Sequence, residues 1–298
     1  MDRLDAMATL IAAIDGGSLS AASRKLGMPL ATVSRKVSEL EAHLRTQLVV
    51  RTSRKLLLTE AGQIYVVASR RILDEVEEAE RAASGEYRAP QGHLTITAPI
   101  MFGRMHVAPV VLAFLQAYPE IDARLVLADH VVSLIDDHVD VAVRVGPLPD
   151  SAMVATRLGE IRRVTCASPD YLAARGTPET LAALASHDCV MFEGLYANTV
   201  WSFGRGKQVV TVPVRSRFAV NTADAAIAAA VAGTGITRVL SYQVAEAVAD
   251  GKLLLLLQSF EPEPLPVHLV YPAPSLLTLK LRAFLDFAGP RLKASIIG

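Results

Sequence analysis

The sequence predicts an α+β protein of several domains, and three features of its 298 residues support this prediction. Residues 3–58 combine short apolar stripes at helical spacing with a pair of short strands. One helical pattern then continues without interruption from Thr59 to about Ser84. Beyond the polar segment 85–92, whose Gly and Pro are typical of a linker, strands and helices alternate, as they do in sheets covered by helices.

Residues 3–28 are predicted to form two short helices. The first ends at Gly16 and Gly17, and its apolar residues follow the spacing i, i+3, i+4 and i+7 of a helix with one buried face. That stripe consists of Leu4, Met7, Ala8, Ile11 and Ile14. The second helix starts after Ser18, a favoured N-cap, and Gly27 readily adopts the left-handed conformation that ends it.

A third helix is expected from Pro29 to Leu44, with a buried face and a polar face on opposite sides. At about 100° per residue, apolar residues that recur every three or four positions fall on one side of a helix. Here they are Val33, Val37, Leu40, Leu44 and, just beyond the helix, Leu48. The other side carries Ala31, Thr32, Arg35 and Ser38, flanked by Ser34 and Lys36. This polar side is therefore available to a partner.

A basic hairpin is predicted after the third helix, with strands at 49–51 and 55–58. Two short helices joined by a tight turn and followed by such a hairpin form a winged helix-turn-helix, which places a helix in the major groove of DNA. Between residues 20 and 55 eight basic residues outnumber two acidic ones, whereas the whole chain is formally neutral. Positive charge is thus concentrated where phosphates would lie. A small helical bundle with a solvated basic face is the alternative interpretation.

The DNA contacts expected of this region are of two kinds. Leu30 and Ala31 would contact thymine methyl groups, and Ser34 and Arg35 would hydrogen-bond to bases. The arginines of the hairpin would pair with phosphates, which fixes the register on the duplex rather than the sequence read. The predicted DNA-binding residues are Ser20, Leu30, Ala31, Thr32, Ser34, Arg35, Lys36, Arg51, Ser53 and Arg54.

The long helix that follows has one apolar seam. Seam residues recur at steps of three and four from Ala61 to Ala83, and the carboxylates between Asp74 and Glu80 lie mostly outside the seam. A helix of this length needs a partner to cover such a seam. We therefore predict that it mediates dimerisation; packing on its own domain is the alternative. The predicted dimerisation residues are Tyr65, Ala68, Ile72 and Val76.

The alternating region is predicted to form two α/β lobes. In the first lobe, strands at 94–98, 123–128 and 139–145 alternate with helices at 106–118 and 131–137, which predicts a parallel sheet. The second lobe has a strand at 164–168, paired runs at 209–214 and 217–220, and an alanine-rich helix at 223–232. A strand at 267–271 and a helix at 275–288 are expected to return to the first lobe.

These elements divide the chain into three predicted regions: a DNA-binding domain at 1–58, a linker helix and hinge at 59–91, and the two-lobed domain at 92–298. Lobe one is expected at about 92–162 and 267–298, and lobe two at about 163–266. One small domain plus a body of roughly 200 residues agrees with usual domain sizes.

Two such lobes leave a cleft at the carboxyl ends of their strands, where small molecules bind in open α/β sheets. A helix whose N-terminus faces the cleft offers N–H groups and a dipole that attract carboxylates. Ordinary loop structure is the alternative for each candidate residue. The candidate ligand-binding residues are Pro99, Ile100, Phe102, Gly103, Asp129, His130, Gly146, Asn221 and Thr222.

Five short segments occur in a fixed order near the N-terminus: Ala21–Ala22, Val33–Arg35, Leu40–Glu41, Arg51–Arg54 and Leu58–Gly62. With these segments, residues 1–88 resemble the winged helix-turn-helix of LysR-type transcriptional regulators. That family usually has Gly where Arg45 stands and Phe where Val49 stands, so the end of the third helix differs here. Through segments 140–146 and 167–172, residues 92–298 are similar to the family's effector-binding domain, itself similar to periplasmic solute-binding proteins.

The resemblance implies a sequence-specific DNA-binding regulator whose activity is modulated by a small-molecule effector bound between the lobes. It also implies that two long helices pair in antiparallel fashion, which gives a homodimer, or a dimer of dimers, on a double-stranded DNA operator. RNA polymerase is a further partner that it suggests. No cofactor is expected.

Other chemistry has little support in the sequence. Cys166 and Cys189 lack metal-binding or CxxC spacing, so we expect buried, reduced thiols. No HExxH motif occurs among the histidines, and the acidic residues at 136–140 are expected to be a solvated helix end rather than a metal site. We therefore expect no enzyme activity. The alternative class is a cytoplasmic solute-binding protein or enzyme with an N-terminal dimerisation module.

The N-terminus and the hydropathy pattern bear on location. Charged residues follow Met1 directly, unlike the layout of a signal peptide, and no run reaches about 18 consecutive apolar residues. A cytoplasmic protein without membrane contact is therefore expected.

Overall fold

A computed structural model of the chain describes residues 1–51, 56–84, 89–149, 153–192, 200–273 and 277–297. It divides into two compact units, Met1–Ala89 and Pro90–Gly298. The first unit contains helices α1 Arg3–Asp15, α2 Leu19–Leu26 and α3 Leu30–Leu44, strands β1 Val49–Arg51 and β2 Leu56–Leu58, and helix α4 Glu60–Ser84.

Local signals set the ends of the first helices. The Asp2 carboxylate accepts hydrogen bonds from the first N–H groups of α1, and the Ser18 hydroxyl accepts one from the Ala21 N–H at 3.1 Å. Gly27 ends α2 at a φ of 63°, the left-handed conformation expected of it. Because α2 ends there, the chain turns sharply into α3.

The core of the first unit is formed by α3 packed against α1. Val33, Val37 and Leu40 are fully buried, as the spacing predicted. The prediction for the buried face of α1 was wrong. That face is formed by residues outside the predicted stripe, and the stripe residue Leu4 is 39% exposed. The buried residues are Ala6, Thr9, Leu10, Ala12 and Ala13. Small residues let helices approach each other closely, so a stripe defined by the larger side chains missed this face.

The hairpin is anchored to the helices through its first strand. β1 and β2 pair antiparallel, with Val49 opposite Leu58. The Glu41 carboxylate accepts hydrogen bonds from the N–H groups of Leu48 and Val49 at 2.8 and 3.0 Å, which fixes the chain between α3 and β1. Charge-assisted bonds of this kind are about twice as strong as neutral ones.

The second unit contains two five-stranded sheets. Its first elements are β3 Gly92–Ala98, α5 Ile100–Phe102, a π-helical turn Gly103–Val107, α6 Ala108–Ala117, β4 Ile121–Leu127, β5 Val141–Val145, β6 Met153–Ile161, β7 Arg163–Ala167, α7 Pro169–Arg175 and β8 Asp188–Phe192. They are followed by β9 Val200–Phe203, β10 Val210–Pro213, β11 Arg215–Val220, α8 Ala223–Val231, β12 Ile236–Leu240, α9 Ser241–Ala249, β13 Leu254–Leu256, β14 Leu265–Pro272 and α10 Leu279–Ile297.

Each sheet forms one lobe, and both sheets are mixed rather than parallel. Lobe one has the strand order β4-β3-β5-β14-β6 and lobe two the order β11-β8-β12-β7-β13. β14 runs antiparallel to both β5 and β6, and β7 runs antiparallel to β12 and β13. The alternation of elements predicted parallel sheets, and this prediction was only partly right. The strands that enter a lobe from the other lobe, β14 and β7, run antiparallel to their neighbours.

One predicted helix and one predicted strand pairing of the second unit are absent from the structure. Residues 131–137 form turns instead of a helix, because Asp136 and Asp137 accept hydrogen bonds from the hydroxyl and N–H of Ser133 and compete with helical bonding. The runs 209–214 and 217–220 do not pair with each other. β10 forms a hairpin with β9, and β11 pairs in parallel with β8.

The helix expected at 106–118 begins earlier, at Ile100, and continues through the π-helical turn to Ala117. By length and composition this stretch could cross a membrane. In the structure Phe102, Val107 and Phe114 are fully buried in the core of lobe one, where Phe114 packs edge-on against Phe284. The stretch is therefore a core helix of the lobe.

Candidate nucleic-acid interface and ligand cleft

The polar face of α3 is exposed at the surface of the first unit. Leu30 and Ala31 at its first turn are exposed, as is Arg35 one turn later. The guanidinium of Arg35 forms an ion pair with Glu39 at 2.8 Å, one turn along the same exposed face. An exposed i, i+4 pair contributes only about 0.3–0.5 kcal/mol, so Arg35 can exchange it for another acceptor.

The remaining predicted DNA contacts on the helices differ in accessibility. Ser20 on α2 is exposed, and Thr32 and Ser34 are half-buried. Lys36 is held inside the unit, because its ammonium forms an ion pair with Asp5 of α1 and contacts the sulfur of Met28 at 3.4 Å. Lys36 thus fastens α1 to α3, and a phosphate contact would have to displace Asp5.

Three of the predicted DNA contacts belong to the hairpin. Ser53 and Arg54, together with the rest of segment 52–55, lie outside the described residues. Arg51 belongs to β1 by its backbone, and its side chain also lies outside the described part. The roles predicted for these three residues stay predictions.

The first turns of α4 pack on α1 and leave an apolar face of α4 uncovered. Val66 and Ser69 are buried, and an ion pair between Arg70 and Asp15 joins α4 to α1. The predicted dimerisation residues Tyr65, Ala68, Ile72 and Val76 are all half-buried. Tyr65 packs against the core of the unit, and burial raises the pKa of its hydroxyl.

Two apolar residues of α4 were missed by the sequence analysis. Ile64 is 69% exposed and Val67 is 49% exposed. Ile64, Ala68 and Ile72 are four residues apart, so they form one continuous stripe on the outer side of the helix. The spacing of these residues is visible in the sequence. The sequence does not show, however, which apolar side of α4 packs against α1 and which side is left exposed.

In the second unit, a carboxylate already occupies the amino end of α5. Asp129, at the end of β4, accepts a hydrogen bond from the Ile100 N–H at 3.0 Å. Pro99 precedes the helix as its N-cap residue. Burial, followed by the nearby charge of Asp224, raises the pKa of Asp129. An effector carboxylate at this helix end would therefore compete with Asp129.

An ion pair connects the two lobes beside this point. Arg104, in the π-helical turn of lobe one, lies 3.0 Å from Asp224, in the first turn of α8 of lobe two. Thr222 is the N-cap of α8, and its hydroxyl accepts a hydrogen bond from the Ala225 N–H. The predicted residues Ile100, Asp129 and Thr222 thus converge on one place between the lobes.

Phe102 was predicted to contact a ligand, but its ring lies within the packed core. It is fully buried and packs edge-on against Tyr242 and tilted against His106, whose ring centroids lie 5.5 and 4.7 Å away. Tyr242 belongs to α9 of lobe two, so this aromatic cluster is a second contact between the lobes. Gly103 is buried too, and a side chain there would collide with Leu127.

Three other predicted ligand residues lie at the ends of strands. His130 and Asn221 are exposed after β4 and β11. Gly146 has a φ of 112°, a conformation that favours glycine, and its N–H donates to the Pro266 carbonyl at 2.8 Å. The charge of His130 acts on the neighbouring Asp129 carboxyl. The ligand roles of His130, Asn221 and Gly146 stay predictions.

The two cysteines are buried in lobe two, on β7 and β8. Burial raises the pKa of both thiols to about 12. Among the described residues, no group of three or more His, Cys, Asp or Glu side chains is arranged to hold a metal ion.

Comparison with known proteins decides the family. The model of the bacterial regulatory helix-turn-helix of the lysR family matches residues 4–63, and that of the LysR substrate-binding domain matches residues 88–293. The chain belongs to the LysR family of transcriptional regulators. It is a DNA-binding transcriptional regulator with an effector-binding domain.

Relatives of this LysR-type regulator match over nearly the whole chain. A transcriptional repressor of Pseudomonas aeruginosa is 34% identical, over 96% of this chain and 91% of the relative. The structure of CrgA, a LysR-type regulator of Neisseria meningitidis, is 32% identical with a TM-score of 0.62, over 97% of this chain and 98% of that one. AphB, the Vibrio cholerae virulence activator, is 28% identical with a TM-score of 0.60, covering 96% and 98%.

The LysR-type assignment made from the sequence is confirmed, as are the helix-turn-helix and the two-lobed effector domain. LysR-type regulators bind DNA and small-molecule effectors and form oligomers. The contacts between lobes were missed, because Arg104, Asp224 and Tyr242 are far apart in sequence and carry no motif.

Proposed function

We propose that the exposed side of α3 around Arg35 reads the bases of an operator while the hairpin contacts its phosphates. The observation that carries this proposal is the placement of α3, whose leucine- and valine-lined back is buried while Leu30, Ala31 and Arg35 are exposed. Guanidinium groups recognise guanine, and small apolar groups recognise thymine methyls, in the major groove. Ser20 and the first turns of α3 would form the base-reading surface.

The oligomer we propose is a homodimer, or a dimer of dimers, held by antiparallel pairing of α4. The apolar stripe of the exposed Ile64 and the half-buried Ala68 and Ile72 supports this, with Tyr65 and Val76 at its margin. Two protomers paired in this way would place two winged domains on one double-stranded operator. The domain limits that accompany this proposal are 1–58, 59–91 and 92–298.

The effector site we propose lies between the lobes, beside Ile100, Asp129 and Thr222. The ion pair of Arg104 with Asp224 spans the lobes at this point, so a molecule bound here changes how the lobes meet. The role we propose for the protein is regulatory and non-catalytic, exerted in the cytoplasm, with RNA polymerase as a downstream partner.

The decisive experiment replaces Arg35 by Ala and measures binding to an operator selected from random DNA. Loss of one bidentate base contact costs about 1–3 kcal/mol, so operator affinity should fall about 10- to 100-fold while non-specific binding changes little. Arg124→Ala, which removes an exposed arginine of the effector domain, should leave both unchanged. Equal operator binding by Arg35→Ala and native protein would refute the proposed reading surface.

A further inference from the structure

Three arginines of lobe two converge on one buried carboxylate, that of Asp188 at the start of β8. Arg175 Nη2 and Arg217 Nη1 lie 3.8 and 3.3 Å from its Oδ2, and Arg215 Nε lies 3.7 Å from its Oδ1. The Asp188 side chain is 9% exposed, whereas the three arginine side chains are 48% to 74% exposed. The carboxylate therefore lies beneath a surface of guanidinium groups.

Asp188 holds the three arginines together, but it does not satisfy all of their hydrogen-bond donors. Charge-assisted hydrogen bonds between nitrogen and oxygen are about 2.7–2.9 Å long, and all three contacts are longer. Only Arg217 is close enough to count as a hydrogen-bond donor, and Asp188 Oδ1 is buried without a hydrogen-bond partner among the described residues. Most of the hydrogen-bond donors of the three guanidinium groups are therefore not used by Asp188.

The cluster carries an excess of positive charge. In the described part of the chain, Asp188 is the carboxylate that all three arginines share as ion-pair partner, so three positive charges meet one negative charge. The adjacent groups are neutral. Burial, followed by the charge of Arg175, lowers the pKa of His187, and the Tyr171 hydroxyl accepts the Asp188 N–H at 3.0 Å. Two positive charges remain uncompensated.

Strand geometry sets this cluster apart from the cleft between the lobes. β11 lies at the edge of its sheet and runs parallel to β8, with Arg215 opposite Asp188. The register shifts between Ser216 and Phe218, at Arg217, and such bulges redirect a side chain. The cluster lies at the amino ends of β8 and β11. Thr222, in the proposed effector site, follows the carboxyl end of β11.

We propose that Arg175, Arg215 and Arg217 form a binding site for the phosphoryl group of a small soluble metabolite, distinct from the effector cleft. A phosphoryl group carries about −1.5 to −2 charge at pH 7, which matches the excess of two positive charges better than a single carboxylate does. The planar fork of arginine suits the paired oxygens of a phosphoryl group, and Asp188 orients the forks.

The test is calorimetric titration of the full chain with inorganic phosphate and with pyrophosphate, in a buffer that contains neither. Arg215→Ala/Arg217→Ala should weaken the binding at least about tenfold. Arg157→Ala removes a comparably exposed, ion-paired arginine of lobe one and should leave the affinity within about twofold. If the double variant fails to fold by circular dichroism, Arg217→Lys keeps the charge but removes the fork, and it should weaken binding severalfold.

Several results would overturn the proposal. They are the absence of saturable phosphate binding to the native chain, full binding by the Arg215→Ala/Arg217→Ala variant, and an equal loss in Arg157→Ala. DNA is the other source of phosphate, and it is tested with the same variants on a selected operator. The footprint and its salt dependence should match those of native protein; a shortened footprint would assign these arginines to the DNA backbone instead.

Discussion

Arg45 occupies a backbone conformation that usually belongs to glycine. It ends α3 with a φ of 52°, donates its N–H to the Ala42 carbonyl, and is followed by a bond from the Thr46 N–H to the Glu41 carbonyl. This pattern is a common C-terminal cap of helices, and the left-handed residue in it is most often glycine. A side chain at such a position costs about 1 kcal/mol.

Arg45→Gly should therefore stabilise the first unit, by up to about 1 kcal/mol, because glycine relieves the strain at some cost in unfolded-state entropy. Urea denaturation followed by circular dichroism measures the change. Arg45→Ala is the matched control, since it removes the charge but keeps the Cβ, and it should gain nothing. If the alanine variant gained as much as the glycine variant, the arginine side chain rather than the backbone would be the source of the strain.

Gly62, in the first turn of α4, lies close to the backbone that leads into the hairpin. A Cβ at Gly62 would lie 2.0 Å from the Leu48 carbonyl oxygen, and backbone cannot move aside as a flexible side chain can. Gly62→Ala should thus destabilise the protein by roughly 1–3 kcal/mol, measured as a lower midpoint of urea unfolding. A neutral Gly62→Ala would mean that α4 is not held this closely to the hairpin.

The outer stripe of α4 makes a separate prediction about association. Ile64→Glu places a charge on the proposed helix pair, so the variant should sediment as a monomer at concentrations where native protein is a dimer or larger. Gln63→Glu adds the same charge at the neighbouring exposed position and should leave the oligomer intact. Sedimentation velocity distinguishes them. An Ile64→Glu variant of native size would place the dimer contact on another surface.

Elements with strong local signals were predicted well, and those set by distant contacts were not. α3 and the N-cap of α2 follow from Val33, Val37, Leu40 and Ser18, whose spacing and chemistry act within a few residues. β6 was missed because most of its residues are exposed and no alternation marks it. The partner of β11 is β8, twenty or more residues away, and no turn signal specifies such a parallel pairing.

The same limit applies to the candidate site. Ile100, Asp129 and Thr222 could be proposed as ligand residues because helix ends and strand ends are visible in the sequence. Their ligand roles stay predictions. The lobes as a whole are joined by contacts that only the fold creates, namely Arg104 with Asp224 and the rings of Phe102, His106 and Tyr242. Both contacts would change if the lobes moved relative to each other.

Protonation of His106 gives a test of this lobe junction. Its Nε2 is buried without a hydrogen-bond partner among the described residues, and burial lowers its pKa. The pKa values of His187 and His268 are lowered as well, chiefly by burial. At a pH below about 6.5, an unfolded chain therefore binds protons that the folded chain does not. Stability should consequently fall as the pH drops below about 6.5, and this loss is absent at higher pH.

Replacing His106 by Phe should reduce that loss, because phenylalanine keeps the contacts with Phe102 and Tyr242 and cannot be protonated. The melting temperature, measured by calorimetry between pH 7.5 and 5.5, should fall less steeply for His106→Phe than for native protein. Identical slopes for His106→Phe and native protein would show that His106 titrates alike in the folded and unfolded chains, and the lobe junction would then be insensitive to pH in this range.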